Sequence, residues 1–284
     1  MMYLTFAVAL IAAPVTTQSR DTTLRLEPGT TIEVSSFSQP VVVTGTSGNQ
    51  LTVRGASVDV GRGHIDIDGS VFGKAAKGPI MIEVPTSARM TIDVVSGAVT
   101  VTNAPDHLEI EAVDGPISIT GGRGEMEVSA TGEITIADFA GTRLSINGLA
   151  GGITVRDAGG IIEIDNVNGP ILLERITSRD VQISSVNGQV RWRGDFDPAG
   201  RYSIESHNGG IELSVPSTLN ARLQIETFNG GLSSELPARI TGDGSQGNGP
   251  PTERNIVATY GRGQASIDIT TFNSGVQVRK LGGG

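Results

Sequence analysis

Apolar and polar residues alternate through most of this chain, and glycine interrupts the alternation at a nearly fixed interval. A period of two is the signature of a half-buried strand. The recurring unit is apolar-x-apolar-x-small-apolar-x-Gly-x-apolar-x-apolar. It reads LEIEAVDGPISI at 108–119, LSINGLAGGITV at 144–155, IEIDNVNGPILL at 162–173, VQISSVNGQVRW at 181–192, YSIESHNGGIEL at 202–213 and LQIETFNGGLSS at 223–234. MTIDVVSGAVTV at 90–101 and the one-residue-shorter MEVSATGEITI at 126–136 are weaker copies. A last copy, IDITTFNSGVQV at 267–278, has Ser274 where the others have Gly. The turn positions are Gly97, Gly115, Gly132, Gly151, Gly169, Gly188, Gly209 and Gly230, spaced by 18, 17, 19, 18, 19, 21 and 21 residues. Each unit is predicted to be strand, tight turn, strand. Glycine suits a turn that needs positive φ, which costs other residues about 1–2 kcal/mol.

Aligned units give columns. Two residues before the glycine stand Val95, Val113, Ala130, Leu149, Val167, Val186, His207 and Phe228, and two residues after it Val99, Ile117, Ile134, Ile153, Ile171, Val190, Ile211 and Leu232. A single unit cannot bury these residues, whereas stacked units share a continuous core. The reading is an all-β parallel β-helix or β-solenoid of 18–21-residue coils, expected to be right-handed and, at ~4.8 Å per stacked strand, about 45 Å long. Asn168, Asn187, Asn208, Asn229 and Asn273 beside the turns are expected to hydrogen-bond from coil to coil. Residues 21–89 carry the same strand chemistry with looser spacing and read as irregular first coils and an end cap. The regular coils run over 90–237, a Gly/Pro-rich loop insertion over 238–263 and a final coil over 264–280. The organisation is therefore a single domain at 18–284, preceded by a signal peptide at 1–17.

That leader rests on the one long apolar run, Tyr3 to Pro14, too short for a bilayer span and apt for a secretory signal, although no Lys or Arg precedes it. Cleavage is expected between Ala13 and Gln18. Export to the periplasm or the extracellular space follows as the expected localisation. The chain has no cysteine, so thiol catalysis, zinc-thiolate sites, disulfides and lipid anchoring at a processed N-terminus drop out. No second apolar run offers an integral membrane segment for the mature chain. A net charge of −9 gives no electrostatic footprint for nucleic acid or anionic lipid.

The recurring S/V-N-G-x-I/V turn, the early LRLEPGTTIEV segment and the closing SIDITTFNSGVQVRK resemble a bacterial adhesin-like family of β-strand-repeat proteins of unknown function. The resemblance covers roughly residues 21–280 and implies a parallel β-helix-like fold at the cell envelope or outside the cell. It brings no catalytic residues with it.

Candidate chemistry is sparse. Asp243-Gly244-Ser245-Gln246-Gly247 lacks the first glycine of a nucleophile elbow, and Gly69 to Ala75 is one residue short of a phosphate-binding loop. His64-x-Asp66-x-Asp68-Gly69 mimics half of a calcium loop but fits better as the outward residues of a strand. Glu109, Glu111, Glu127, Glu163, Asp165, Glu205, Glu226 and Asp268 stand at outward positions before the turns. Glycoside cleavage needs two carboxyl groups in a cleft, one with a pKa raised by burial, and an outward stripe supplies proximity without burial. His207 is expected in the core or half-buried at its margin, and not as a catalytic base, because its column is elsewhere held by Val, Leu and Phe, and His107 falls in a turn between coils. Trp192 and Tyr202 fall in apolar columns, leaving Tyr260 as the free aromatic for a sugar face. Thr100, Ser118, Thr135 and Thr154 form a short row that Leu172 breaks, too short for an ice-binding face.

No catalytic, cofactor-binding or metal residues are assigned, and no cofactor. The expected function is a non-catalytic, exported envelope scaffold that binds an envelope protein or glycan. The alternative is a polysaccharide-binding or polysaccharide-cleaving β-helix, or an envelope-stress accessory protein.

Overall fold

The computed structural model describes residues 21–71, 74–75, 78–242 and 254–282. The expected leader and the Asp243–Gly247 string lie outside the described residues. Among the described residues, strands alone make up the regular structure, in a 13-stranded sheet and a 14-stranded sheet beside one short pairing of Ser70–Val71 with Lys74–Ala75. Among the described residues, no helix is long and apolar enough to cross a membrane.

Each repeat contributes one strand to the larger sheet, turns at its glycine and contributes the next strand to the smaller sheet. His107–Asp114 pairs in parallel with Arg89–Ser96 and with Glu125–Ala130. Ile117–Gly122 does the same with Val99–Ala104 and Ile134–Phe139. This is the parallel solenoid that the repeat predicts. Register places like upon like, so Leu108, Met126, Leu144, Ile162 and Val181 form one buried ladder. Val99, Ile117, Ile134, Ile153, Ile171, Val190 and Ile211, two residues after each glycine, line the facing sheet and are buried as expected. Burying each such side chain is worth about 1.5–3 kcal/mol. Trp192, Phe196 and Tyr202 pack edge and face within the same core.

Sequence order and spatial order part company at both ends. Ala265–Thr271 lies between Arg201–Ser206 and Ala221–Thr227, and Val276–Lys280 lies between Ile211–Val215 and Leu232–Ser234. The chain thus lays its outermost rung first and returns to fill the rung beneath it. At the other end Thr31–Ser36 sits between His64–Asp68 and Arg89–Ser96, with Val41–Thr46 between Ile80–Pro85 and Val99–Ala104. Antiparallel strands then cover the outer edges. Ser57–Val60 covers His64–Asp68, while Gln50–Arg54 covers Ile80–Pro85 and is itself paired with Thr22–Arg25. The segment 238–263, expected to be a loop, holds Arg239–Gly242 and Arg254–Thr259, and the second of these closes the edge of Ala221–Thr227. A bare parallel edge invites pairing with another chain, and these antiparallel strands cover three of the four sheet edges, leaving Leu232–Ser234 as the outer strand of the smaller sheet. Tyr260, expected to be free, is buried at this end, with its hydroxyl on Ser234 Oγ at 2.9 Å.

The turns are closed by two sets of contacts. Asn187 donates its side-chain amide to Asn168 Oδ1 at 2.8 Å, Asn208 to Asn187 at 2.8 Å, Asn273 to Asn208 at 2.8 Å and Asn229 to Asn273 at 3.0 Å. The expected asparagine ladder is therefore present, running in spatial rather than sequence order. Beneath it, the Ser185 hydroxyl accepts the Gly188 N–H at 3.1 Å and donates to the Gly188 carbonyl at 3.0 Å. Ser206 does the same for Gly209, and Ser36 for Gln39. These buried hydroxyls satisfy the donors and acceptors that a tight turn would otherwise leave unpaired inside the protein.

Candidate binding groove

The column two residues before the glycine is not core. Phe37, Val95, Val113, Leu149, Val167, Val186, Phe272 and Phe228 are between 37% and 70% exposed and form one row along the outside of the larger sheet. Backbone bonds fix the order: Ser96 donates to the Phe37 carbonyl, Leu149 to Ala130, Val167 to Gly148, Val186 to Asn166, His207 to Ser185, Phe272 to Ser206 and Phe228 to Thr271. The row contains Thr131 rather than Ala130, because the repeat at 126–136 loses its residue after this point. His207 belongs to this exposed row, contrary to its expected place in the core or at its margin.

Strand alternation explains the inversion. Leu108, Ile110 and Ala112 face inward, so Val113 must face outward whatever its hydrophobicity. The last inward position is mostly occupied by small or hydroxyl residues, among them Ser36, Ala112, Ala130, Gly148, Ser185 and Ser206, where the two sheets converge on the turn, with Val94 and Asn166 the larger members of the row. At this one corner the more apolar residue is on the outside.

The narrow corner also shapes the surface. A groove of about 870 Å³ runs across the strands from Phe37 to Leu149. Its floor is the small inward row, one wall is the apolar row, and the other is the outward row of Ser35, Asp68, Asp93, Glu111, Ser129 and Asn147. At the next rung the inward position is Asn166, buried beside Gly148, whose side chain donates to the Gly151 and Gly169 carbonyls. Among the described residues, no Lys or Arg lines the groove.

The other candidates resolve as surface features. Glu109 stands beside Glu127 and Asp93 beside Glu111 across paired strands, whereas Asn147 separates Asp165 from Ser129 and Ser184 separates it from Glu205. All eight outward carboxylates are exposed except Glu163, which is half-buried and paired with Arg143. Glu33, His64 and Asp66 do converge, each offering an atom within 4.8 Å of the others, and His64 Nε2 lies 2.6 Å from Asp66 Oδ1. These three groups could hold a cation, but they sit on the open face of a sheet and already pair among themselves. His107 begins a strand and faces Glu125 at 3.5 Å.

Elsewhere acids are matched by arginines from neighbouring rungs. Arg156 Nε donates to Glu174 at 2.7 Å and Arg193 to its other oxygen at 3.1 Å, and this pairing, Arg156 first, holds the Glu174 carboxyl below the usual range. Arg175, in the left-handed region at φ 53°, grips Asp157 with both arms of its guanidinium and lowers that carboxyl too. Near the far end of the apolar row, His207, Phe272 and Phe228 stack at centroid separations of 4.9 and 5.1 Å with interplanar angles of 4°.

A family model described as Toastrack DUF4097 matches residues 15–279. No curated protein matches the chain. Among solved structures, one provisionally described as a cell adhesion protein from Clostridium sporogenes ATCC 15579 is similar at 11% identity, covering 93% of this chain and 100% of that one, with a TM-score of 0.21.

Proposed function

The chain belongs to the Toastrack DUF4097 family, and from that premise we propose that it is a non-catalytic, exported envelope protein that binds a partner along its exposed apolar row. The row itself carries the reading. Apolar side chains scattered singly over a surface are ordinary, but an aligned row this long, rimmed by polar residues, marks an interaction surface. The stacked solenoid gives it rigidity, since Val95 and Val113 lie within strands and the other row residues directly follow strands that are paired on both sides. Export rests on the apolar run at Tyr3–Pro14, and the non-catalytic reading on the exposure of the outward carboxylates.

A glycan-stacking role is less well served. Sugars pack on the faces of aromatic rings, and in the His207–Phe272–Phe228 stack the faces lie against one another. The test compares wild-type protein with a Val95→Ser/Val113→Ser/Leu149→Ser variant for binding to envelope preparations, glycan and protein fractions separately. Binding to the protein fraction that falls at least about tenfold in the variant, equivalent to about 1.4 kcal/mol, supports the reading. Equal binding by both proteins contradicts it.

A further inference from the structure

We propose that the groove between Phe37 and Leu149 seats a cationic amphipathic helix of a partner polypeptide. This deepens the function proposed above and rests on it.

Three observations select that occupant. The first is charge. Asp93 and Glu111 line one wall and, among the described residues, no basic residue lines either, while several of the solenoid's arginines pair with acids on other rungs. No salt bridge reaches Asp93 or Glu111 among the described residues. The partner must therefore supply the positive charge, and this chain, at −9 and without a helix among its described residues, is poorly suited to be its own partner.

The second is the parallel arrangement of the walls. An apolar row and a polar row carrying Asp93 and Glu111 on adjacent rungs run side by side along the rod, so the occupant needs an apolar stripe with Lys or Arg beside it along the same axis. A regular amphipathic helix provides that arrangement.

The third is spacing. Rungs repeat every ~4.8 Å, and a helix advances 5.4 Å per turn, so each turn meets about one rung. Same-face residues of an extended strand recur every ~6.6 Å and fall out of step almost at once. From Phe37 to Leu149 the row takes four steps, through Val95, Val113 and Thr131, which at that spacing is ~19 Å, or about 13 residues of helix.

The experiment titrates the full-length protein with a fluorescent 14-residue peptide of leucine and lysine arranged as an amphipathic helix. A scrambled peptide of the same composition is the comparison. The expected result is saturable one-to-one binding with a gain of helical circular dichroism, at least tenfold tighter than for the scrambled peptide. Asp93→Asn/Glu111→Gln should weaken it about tenfold and flatten its salt dependence. Val95→Ser/Val113→Ser should weaken it to a similar extent. Glu109→Gln/Glu127→Gln, on the same sheet but outside the groove, should leave it unchanged. Equal affinity for the scrambled peptide, or equal loss in the Glu109/Glu127 variant, overturns the proposal. If the peptide fails while the row variant still loses envelope binding, the helix is wrong and the binding row stands. If neither responds, both readings fall.

Discussion

At the turns, glycine answers two separate demands that a sequence cannot distinguish. Gly151 has no positive φ, yet a Cβ there would collide with the Gly132 carbonyl of the rung beneath it. Gly63 is the reverse, with φ +73° and open space around it. Positive φ, the reason expected from the sequence, holds at Gly97, Gly115 and Gly169 but not at the other turn glycines of the repeat. Close stacking is the more general reason. Gly63→Ala should therefore cost about 1 kcal/mol of backbone strain, while Gly151→Ala should reach the upper part of the 1–3 kcal/mol range for overpacking. Denaturant midpoints compare the two, and a larger loss at Gly63 would contradict the stacking argument. The outward carboxylates lead to the opposite expectation. Glu111→Gln, Asp165→Asn and Glu205→Gln replace exposed groups and should each shift stability by less than about 0.5 kcal/mol. None should remove a polysaccharide-cleaving activity, which the unmodified protein is expected to lack in a reducing-sugar assay. Reproducible cleavage lost in any one of them would defeat the non-catalytic reading.

Between rungs, register decides which residues meet. The sequence pattern made the strands, the turns, the inward column after each glycine and the asparagine ladder legible, because each repeats in both type and position. It places the column before the glycine in the core, because hydrophobicity alone points to burial where strand parity and the narrow corner govern. Ala112 and Ser185 are the inward residues there, and their small size, not their polarity, was the signal. Ion pairs across rungs were not legible at all, since Arg156, Glu174 and Arg193 are 18 and 19 residues apart and meet only in register. Glu174 is largely shielded and its carboxyl titrates below the usual range of about 4.3–4.5. A depressed folded pKa contributes stability above the unfolded value and loses it as pH falls through the folded one. Glu174→Gln should therefore be less stable than wild type near neutrality, with the gap closing below about pH 4.5. Chemical unfolding from pH 7 to pH 3 measures this, and a gap that widens toward acid would contradict the assignment.

For the whole molecule, the order of rungs matters more than their number. A solenoid built strictly in sequence loses only its end when its last repeat is removed. Here the last repeat is internal, so deleting residues 264–284 should separate Arg201–Ser206 from Ala221–Thr227 and strip the closed end from the rod. The truncated protein should aggregate or melt far below the full chain by circular dichroism, and a small loss of stability would contradict this topology. Nothing in the repeat itself announced that order, because every rung offers the same apolar faces to its neighbours. On the side of the rod, the apolar row and its groove combine exposure, length and rigidity. Hydrogen–deuterium exchange of the full-length protein, free and bound to an envelope protein fraction, tests that claim most directly. The account predicts protection concentrated at 93–97, 111–115 and 147–151, with the outer face at Thr100, Ser118 and Thr135 unchanged. Protection of that opposite face, with the apolar row still exchanging freely, would contradict it.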